Sequence, residues 1–156
     1  MSEQGSFLMN FAGFWIRVVA YIIDLVPLVL IGVVLAFAFG DPLVDTSAEP
    51  SVGASDLIGL VLGIAYFVGF ESSSWQATPG KRVLGLIVTD TEGRRISAAR
   101  ATGRYFGKIL SGLILMIGYI MIAFTDRKQG LHDLMAGTLV VKGKPGEVGY
   151  DPAVFE

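Results

Sequence analysis

Between Phe14 and Phe39 the chain runs FWIRVVAYIIDLVPLVLIGVVLAFAF, 26 residues broken by only two charges, Arg17 and Asp24. Roughly 20 helical residues cross the hydrocarbon core of a bilayer, so this run predicts a transmembrane helix. The two charges stand seven positions apart, close to two helical turns, and point from nearly the same face. A carboxylate within hydrocarbon costs roughly 2.5–3.5 kcal/mol on insertion scales. Such a group is expected to face protein or a water-filled cavity. The rest of the chain must therefore supply polar partners for this stripe.

Composition agrees with membrane residence. The chain has 156 residues, a length suited to one domain, and 53% of them are hydrophobic. Its mean hydropathy of +0.62 is too high for an ordinary soluble domain. The formal net charge of -2 hides a segregation of signs. Residues 40–56 hold Asp41, Asp45, Glu49 and Asp56 and no base. Residues 71–108 hold Lys81, Arg82, Arg94, Arg95, Arg100, Arg104 and Lys108 against three acids. The absence of Cys excludes disulfide and thiolate chemistry. A lone histidine, His132, excludes a multi-histidine metal site. No nucleophile–base pair is legible, so neither an enzyme nor a cofactor is expected. The segment TPGK lacks the full spacing of a nucleotide phosphate loop, and nothing points to a nucleic-acid partner. The start, MSEQGSFLMN, has no basic n-region and does not read as a signal peptide.

In order, a short polar lead precedes helix one, from about Phe11 to Phe39. Pro27 within it frees the carbonyl of Ile23 beside Asp24, which reads as a kink or as a place for a cation or water. Residues 40–55 are a loop by their Gly, Pro, Ser and Asp content. Helix two runs from Asp56 to about Trp75, with Gly59 and Gly63 on a face that allows close helix approach. Val83–Thr89 and Arg94–Ser97 read as a small β-hairpin around the Thr91-Glu92-Gly93 turn. Residues 97–124 begin amphipathic, with Arg100, Arg104 and Lys108 on one face, and end apolar. Residues 138–141 read as a strand. The expected fold is a membrane all-α bundle of two transmembrane helices plus a re-entrant or third hydrophobic helical segment, carrying a small cytoplasmic β-sheet element. The domain covers residues 10–142 and a tail covers 143–156.

Basic flanks favour the cytoplasm. The acidic loop is then outside, and both termini and residues 71–108 are inside. A full crossing by 109–124 would strand Arg127, Lys128, Lys142 and Lys144 outside. A re-entrant hairpin turning near Gly112–Gly118 avoids this and lets the C-terminal strand join the 83–97 hairpin.

Three separated motifs resemble the RDD family of bacterial and archaeal membrane proteins, named for one arginine and two aspartates. Arg17 is similar to its arginine and Asp24 to its first aspartate. The stretch from Gln76 to Asp90, QATPGKRVLGLIVTD, and that from Gly130 to Val141, GLHDLMAGTLVV, resemble its other signatures. The second aspartate then falls on Asp133, with Asp126 as the alternative. The resemblance implies a multi-pass protein of the bacterial or archaeal plasma membrane. It carries cation/proton antiport as an activity proposed for members.

Asp24 is accordingly the candidate cation or proton site, a buried ion pair being the structural alternative. The seven-residue spacing is about 10.5 Å along the axis, too far for direct pairing with Arg17 unless the arginine folds back. Arg17 is instead expected to meet Asp133 or Asp126 in a structural ion pair. Lys81, Arg82, Arg100, Arg104 and Lys108 are candidate ligands of lipid phosphate. Two functions remain open. One is cation/proton transport by a homo-oligomer. The other is a non-transporting accessory subunit or lipid-binding scaffold of a membrane complex.

Overall fold

The computed structural model describes residues 10–114 and 117–145. Strand β1 (Asn10–Phe11) leads into helix α1 (Phe14–Phe39), and a loop connects α1 to helix α2 (Ala54–Ser72). A short helix α3 (Pro79–Val83) and strand β2 (Leu86–Asp90) follow. Helices α4 (Ala98–Leu113), α5 (Ile117–Phe124) and α6 (Leu131–Ala136) precede strand β3 (Thr138–Lys142).

Helices α1 and α2 are both long and apolar enough to cross a membrane. Their outward side chains, among them Val26, Val29, Leu30, Leu60 and Val61, are exposed. In a soluble protein these would have to be covered; here they form the lipid-facing surface. Gly40 closes α1 in the left-handed region at φ 74°, where glycine carries no Cβ penalty. At the start of α2 the Asp56 carboxylate accepts the Gly53 N–H at 2.8 Å.

Helices α4 and α5 meet at an angle of 104° across their break. The pair therefore bends back in the manner of a re-entrant hairpin. Glycines set the approach of its arms. A Cβ on Gly118 would lie 2.4 Å from the Ser111 Oγ, and one on Gly107 would lie 3.0 Å from the His132 Cα. Small residues at these points let α4, α5 and α6 touch backbone to backbone.

The sheet has the order β1-β3-β2, with antiparallel pairings on both sides of β3. Val88 pairs with Val140, and Phe11 with Val141. Leu86, Val88 and Val140 pack with Ala12, Ala20, Ile96 and Ala101, so the sheet shares a core with α1 and α4. Ile87, Leu139 and Val141 form a second cluster on the opposite face, as the period of two requires.

Two local expectations are corrected. Helix one begins at Phe14, because Asn10 and Phe11 form the sheet edge. The 83–97 hairpin does not form: Val83 ends α3, and β2 pairs with the distant β3. Thr78 caps α3, its Oγ1 accepting the Lys81 N–H at 3.4 Å, and Pro79 holds the first turn. Beyond β2, the Asp90 carboxylate accepts the N–H groups of Glu92 at 2.8 Å and Arg94 at 2.9 Å. That closes a turn, and Ser97 then caps α4.

Candidate functional site: two buried carboxylate centres

Helix α4 is inside out. Its buried face carries Ala101, Arg104, Gly107 and Ser111, while Phe106, Ile109, Leu110 and Leu113 are exposed. Where the surroundings are hydrocarbon, the polar stripe of an amphipathic helix must turn to protein. That turn drives Arg104 to the centre of the molecule, where it is 1% exposed. Its Nη1 donates to Glu71 Oε2 at 2.6 Å, its Nε to Asp133 Oδ1 at 3.0 Å, and its Nη2 lies 2.9 Å from the same oxygen.

The two carboxylates carry the network outward. Asp133 Oδ2 receives Arg17 Nη1 at 2.5 Å and the Gly130 N–H at 3.1 Å. Arg17 also donates from Nε to the Ala12 carbonyl at 3.0 Å and from Nη2 to the Lys128 carbonyl. Glu71 Oε1 accepts from Lys81 Nζ, and Lys108 Nζ stands 3.7 Å from that oxygen. One connected set of charges thus ties α1, α2, α3, α4 and α6 together. Burial alone would raise the Asp133 carboxyl, but Arg104 and Arg17 outweigh it and hold it well below the usual carboxylate range.

Asp24 forms a separate centre. It is 1% exposed. Its Oδ1 accepts from the Tyr66 hydroxyl at 2.7 Å and the Gly80 N–H at 2.8 Å, and its Oδ2 from the Thr78 hydroxyl at 2.5 Å. The start of α3 therefore docks on α1. A Cβ on Gly80 would lie 2.1 Å from the Ala20 carbonyl oxygen and 2.8 Å from the Asp24 carboxyl carbon. Only glycine fits there without displacing backbone.

Among the residues expected from sequence, Arg17 and Asp133 are joined, whereas Asp126 is exposed and in no ion pair among the described residues. Arg17 and Asp24 have different partners. The five candidate phosphate ligands divide. Arg104 is corrected: its guanidinium is engaged by Glu71 and Asp133 and presents nothing to headgroups. Lys81 and Lys108 both approach Glu71 Oε1, Lys81 as a hydrogen-bond donor and Lys108 at 3.7 Å, and both keep unused donors. Arg82 lies exposed over the Trp75 ring at 3.9 Å, and Arg100 leans toward Asp90 at 4.0 Å. Tyr66, Thr78 and Gly80 were not anticipated as partners, nor was the pairing of Glu71 with Arg104. A usable signal existed for Thr78: Thr-Pro-Gly-Lys is a cap followed by Pro at the first helical position, which aims N–H groups at an anion. No group of three or more His, Cys, Asp or Glu able to hold a metal occurs among the described residues.

His132 is 2% exposed and its Nδ1 has no hydrogen-bond partner. Burial pushes its pKa down to about 3, although Asp133 pulls the other way. The imidazole is therefore neutral in the fold.

Two predictions follow from this geometry. Truncating Arg17 or Asp133 to alanine should each destabilise the purified protein by roughly 3–5 kcal/mol, since each leaves a buried partner charge. In a double-mutant cycle the pair should couple strongly; strict additivity in thermal unfolding would show that they do not meet. For His132, the unfolded pKa of about 6.5 lies above the folded one. Its contribution to stability is present above about pH 6.5 and lost as pH falls toward the folded value. Between pH 7.5 and 5 the wild type should lose about 1–2 kcal/mol, and His132→Gln should flatten that slope in pH-dependent unfolding.

The comparisons with known proteins concern these same segments. The RDD family model matches residues 11–137. The chain is similar to three proteins of Bacillus subtilis (strain 168). "Uncharacterized protein YxaI" is 36% identical over 146 residues, covering 83% of this chain and 96% of that one. "Uncharacterized membrane protein YteJ" is 32% identical over 143 residues, covering 86% and 82%. "Uncharacterized protein YckC" is 30% identical over 149 residues, covering 87% of each. No solved structure matches. With its two membrane-length helices, its bent helical pair and a family match from Phe11 to Gly137, this chain belongs to the RDD family of multi-pass membrane proteins.

Proposed function

We propose that this chain is a non-transporting membrane scaffold, an accessory subunit whose buried charges hold a cytoplasmic lobe on two membrane helices. The three donors already bound to Asp24 carry this proposal. A carboxylate offers about four acceptor sites, and Tyr66, Thr78 and Gly80 occupy three of them. A cation needs oxygen lone pairs turned toward it. The Gly80 N–H cannot supply one, and while α3 is docked on α1 it takes up a lone pair that a cation would use. The same cradle leaves Asp24 almost no contact with water, which a proton carrier needs.

Cation/proton exchange at Asp24 is the competing function, and flux decides between them. Purified protein in liposomes, under sodium or lithium gradients and read with an enclosed pH dye, should give no more proton movement than empty vesicles. Asp24→Asn should lower stability by about 2 kcal/mol or more, because the Tyr66, Thr78 and Gly80 donors lose a charged acceptor, without altering flux. Ion-dependent proton movement by wild type, abolished in a folded Asp24→Asn variant, would sink the scaffold assignment.

The lobe is placed on the cytoplasmic side, with both termini. The basic residues of 71–108 and 127–144 support this, as does the acidic loop on the other side of α1 and α2. Because the chain has no cysteine, single cysteines report cleanly. In intact cells an impermeant maleimide should label a cysteine at position 47 and reach one at position 144 only after permeabilisation. Labelling at 144 in intact cells would require the α4–α5 segment to cross fully.

A further inference from the structure

The network around Arg104 does not balance. Arg17, Lys81 and Arg104 bring three positive charges against two negative ones from Glu71 and Asp133, and Lys108 adds a fourth whenever it is protonated, although burial lowers its pKa. Side-chain exposure is 9% for Arg17, 9% for Lys81, 1% for Arg104 and 20% for Lys108. His132 is neutral and adds nothing to either side. Counting Asp24 as well, whose oxygens are already held by three donors, the positive excess is the charge of a protonated Lys108. Uncompensated charge away from water is costly.

The excess is localised. All three donor groups of Arg17 and all three of Arg104 are engaged. The lysines differ. Each ammonium has three donors. Lys81 uses one, on Glu71 Oε1, and Lys108 has no hydrogen-bonding acceptor among the described residues. Both ammonium groups therefore converge on one carboxylate oxygen with most of their donors unused. Lys108 is the more open of the two. It sits 4.8 Å over the Phe67 ring, which stacks on Tyr21 at 6.2 Å and packs against Tyr105 at 5.9 Å. Aromatic rings with polar tips beside a lysine, at the end of an apolar helix, mark the level of the headgroups.

We propose that Lys108 and Lys81, converging on Glu71 beside the Tyr21–Phe67–Tyr105 aromatic group, form a binding site for an anionic phosphate group. A phosphate brings both the missing negative charge and several acceptor oxygens for the unused donors. Its chemistry is shared by an anionic lipid headgroup and by free phosphate. The site does not depend on whether Asp24 transports an ion.

Purified wild-type protein in detergent would be titrated with dioleoylphosphatidylglycerol, with dioleoylphosphatidylcholine and, separately, with inorganic phosphate. Unfolding is read from tryptophan fluorescence and retained lipid by native mass spectrometry. Phosphatidylglycerol should raise the unfolding temperature and stay bound where phosphatidylcholine does not. Lys108→Gln should weaken that binding about tenfold, the equivalent of one charge-assisted contact. Lys108→Arg should retain it, and Lys142→Gln, at the exposed end of β3, should leave it unchanged. Equal stabilisation by inorganic phosphate assigns the site to the free ion; its failure assigns the site to lipid. Wild type that neither prefers phosphatidylglycerol nor responds to phosphate overturns the proposal, whatever the folding of the variants. So does a folded Lys108→Gln protein that binds phosphatidylglycerol like wild type.

Discussion

Arg104 is where the fold is under the greatest physical constraint. A guanidinium cannot shed its proton, so a buried one must be matched by carboxylates on every side from which it can donate. Glu71 and Asp133 meet that demand from α2 and α6. Because Asp133 also takes Arg17, the N-terminal half of α1 is set by the same group. Moving any one of these elements would strand a charge in a medium that cannot solvate it. The ion pairs therefore act less as additive stability than as a specification of one arrangement of helices.

Asp24 solves a similar problem with neutral donors. No cation meets it among the described residues; two hydroxyls and a backbone N–H do. This choice orients α3, because the Gly80 N–H must point at α1, and α3 in turn delivers Lys81 to Glu71. The Asp24 centre and the Arg104 network are thus linked through five residues of helix. That link explains why Thr78-Pro79-Gly80-Lys81 is a compact unit: cap, first-turn proline, close approach and inward charge occupy consecutive positions.

The outward surface follows from the same demand. Once the polar stripes of α1, α2 and α4 face one another, their apolar residues are left outside, and a bilayer is the environment that accommodates them. The sheet lies beyond this layer. Its strands come from residues 10–11, 86–90 and 138–142, so it joins three segments far apart in sequence into one unit.

Much of this was legible in the amino-acid order. A run of 26 residues with two charges can only be a membrane helix with one polar stripe, because length and hydropathy act locally. The basic 71–108 segment and the glycines at 112 and 118 likewise announced a bent helical pair. Pairing was not legible. The period of Arg100, Arg104 and Lys108 is the same whether that face meets headgroups or protein, and only the positions of Glu71 and Asp133 turn it inward. The 83–97 stretch has the composition of a hairpin, yet a strand from residues 138–142 offers β2 a longer ladder and a shared core. Sequence determined which segments enter the membrane and which residues could not face lipid. Tertiary structure alone decided which charge meets which, because buried charges are matched in space between segments that the chain holds far apart.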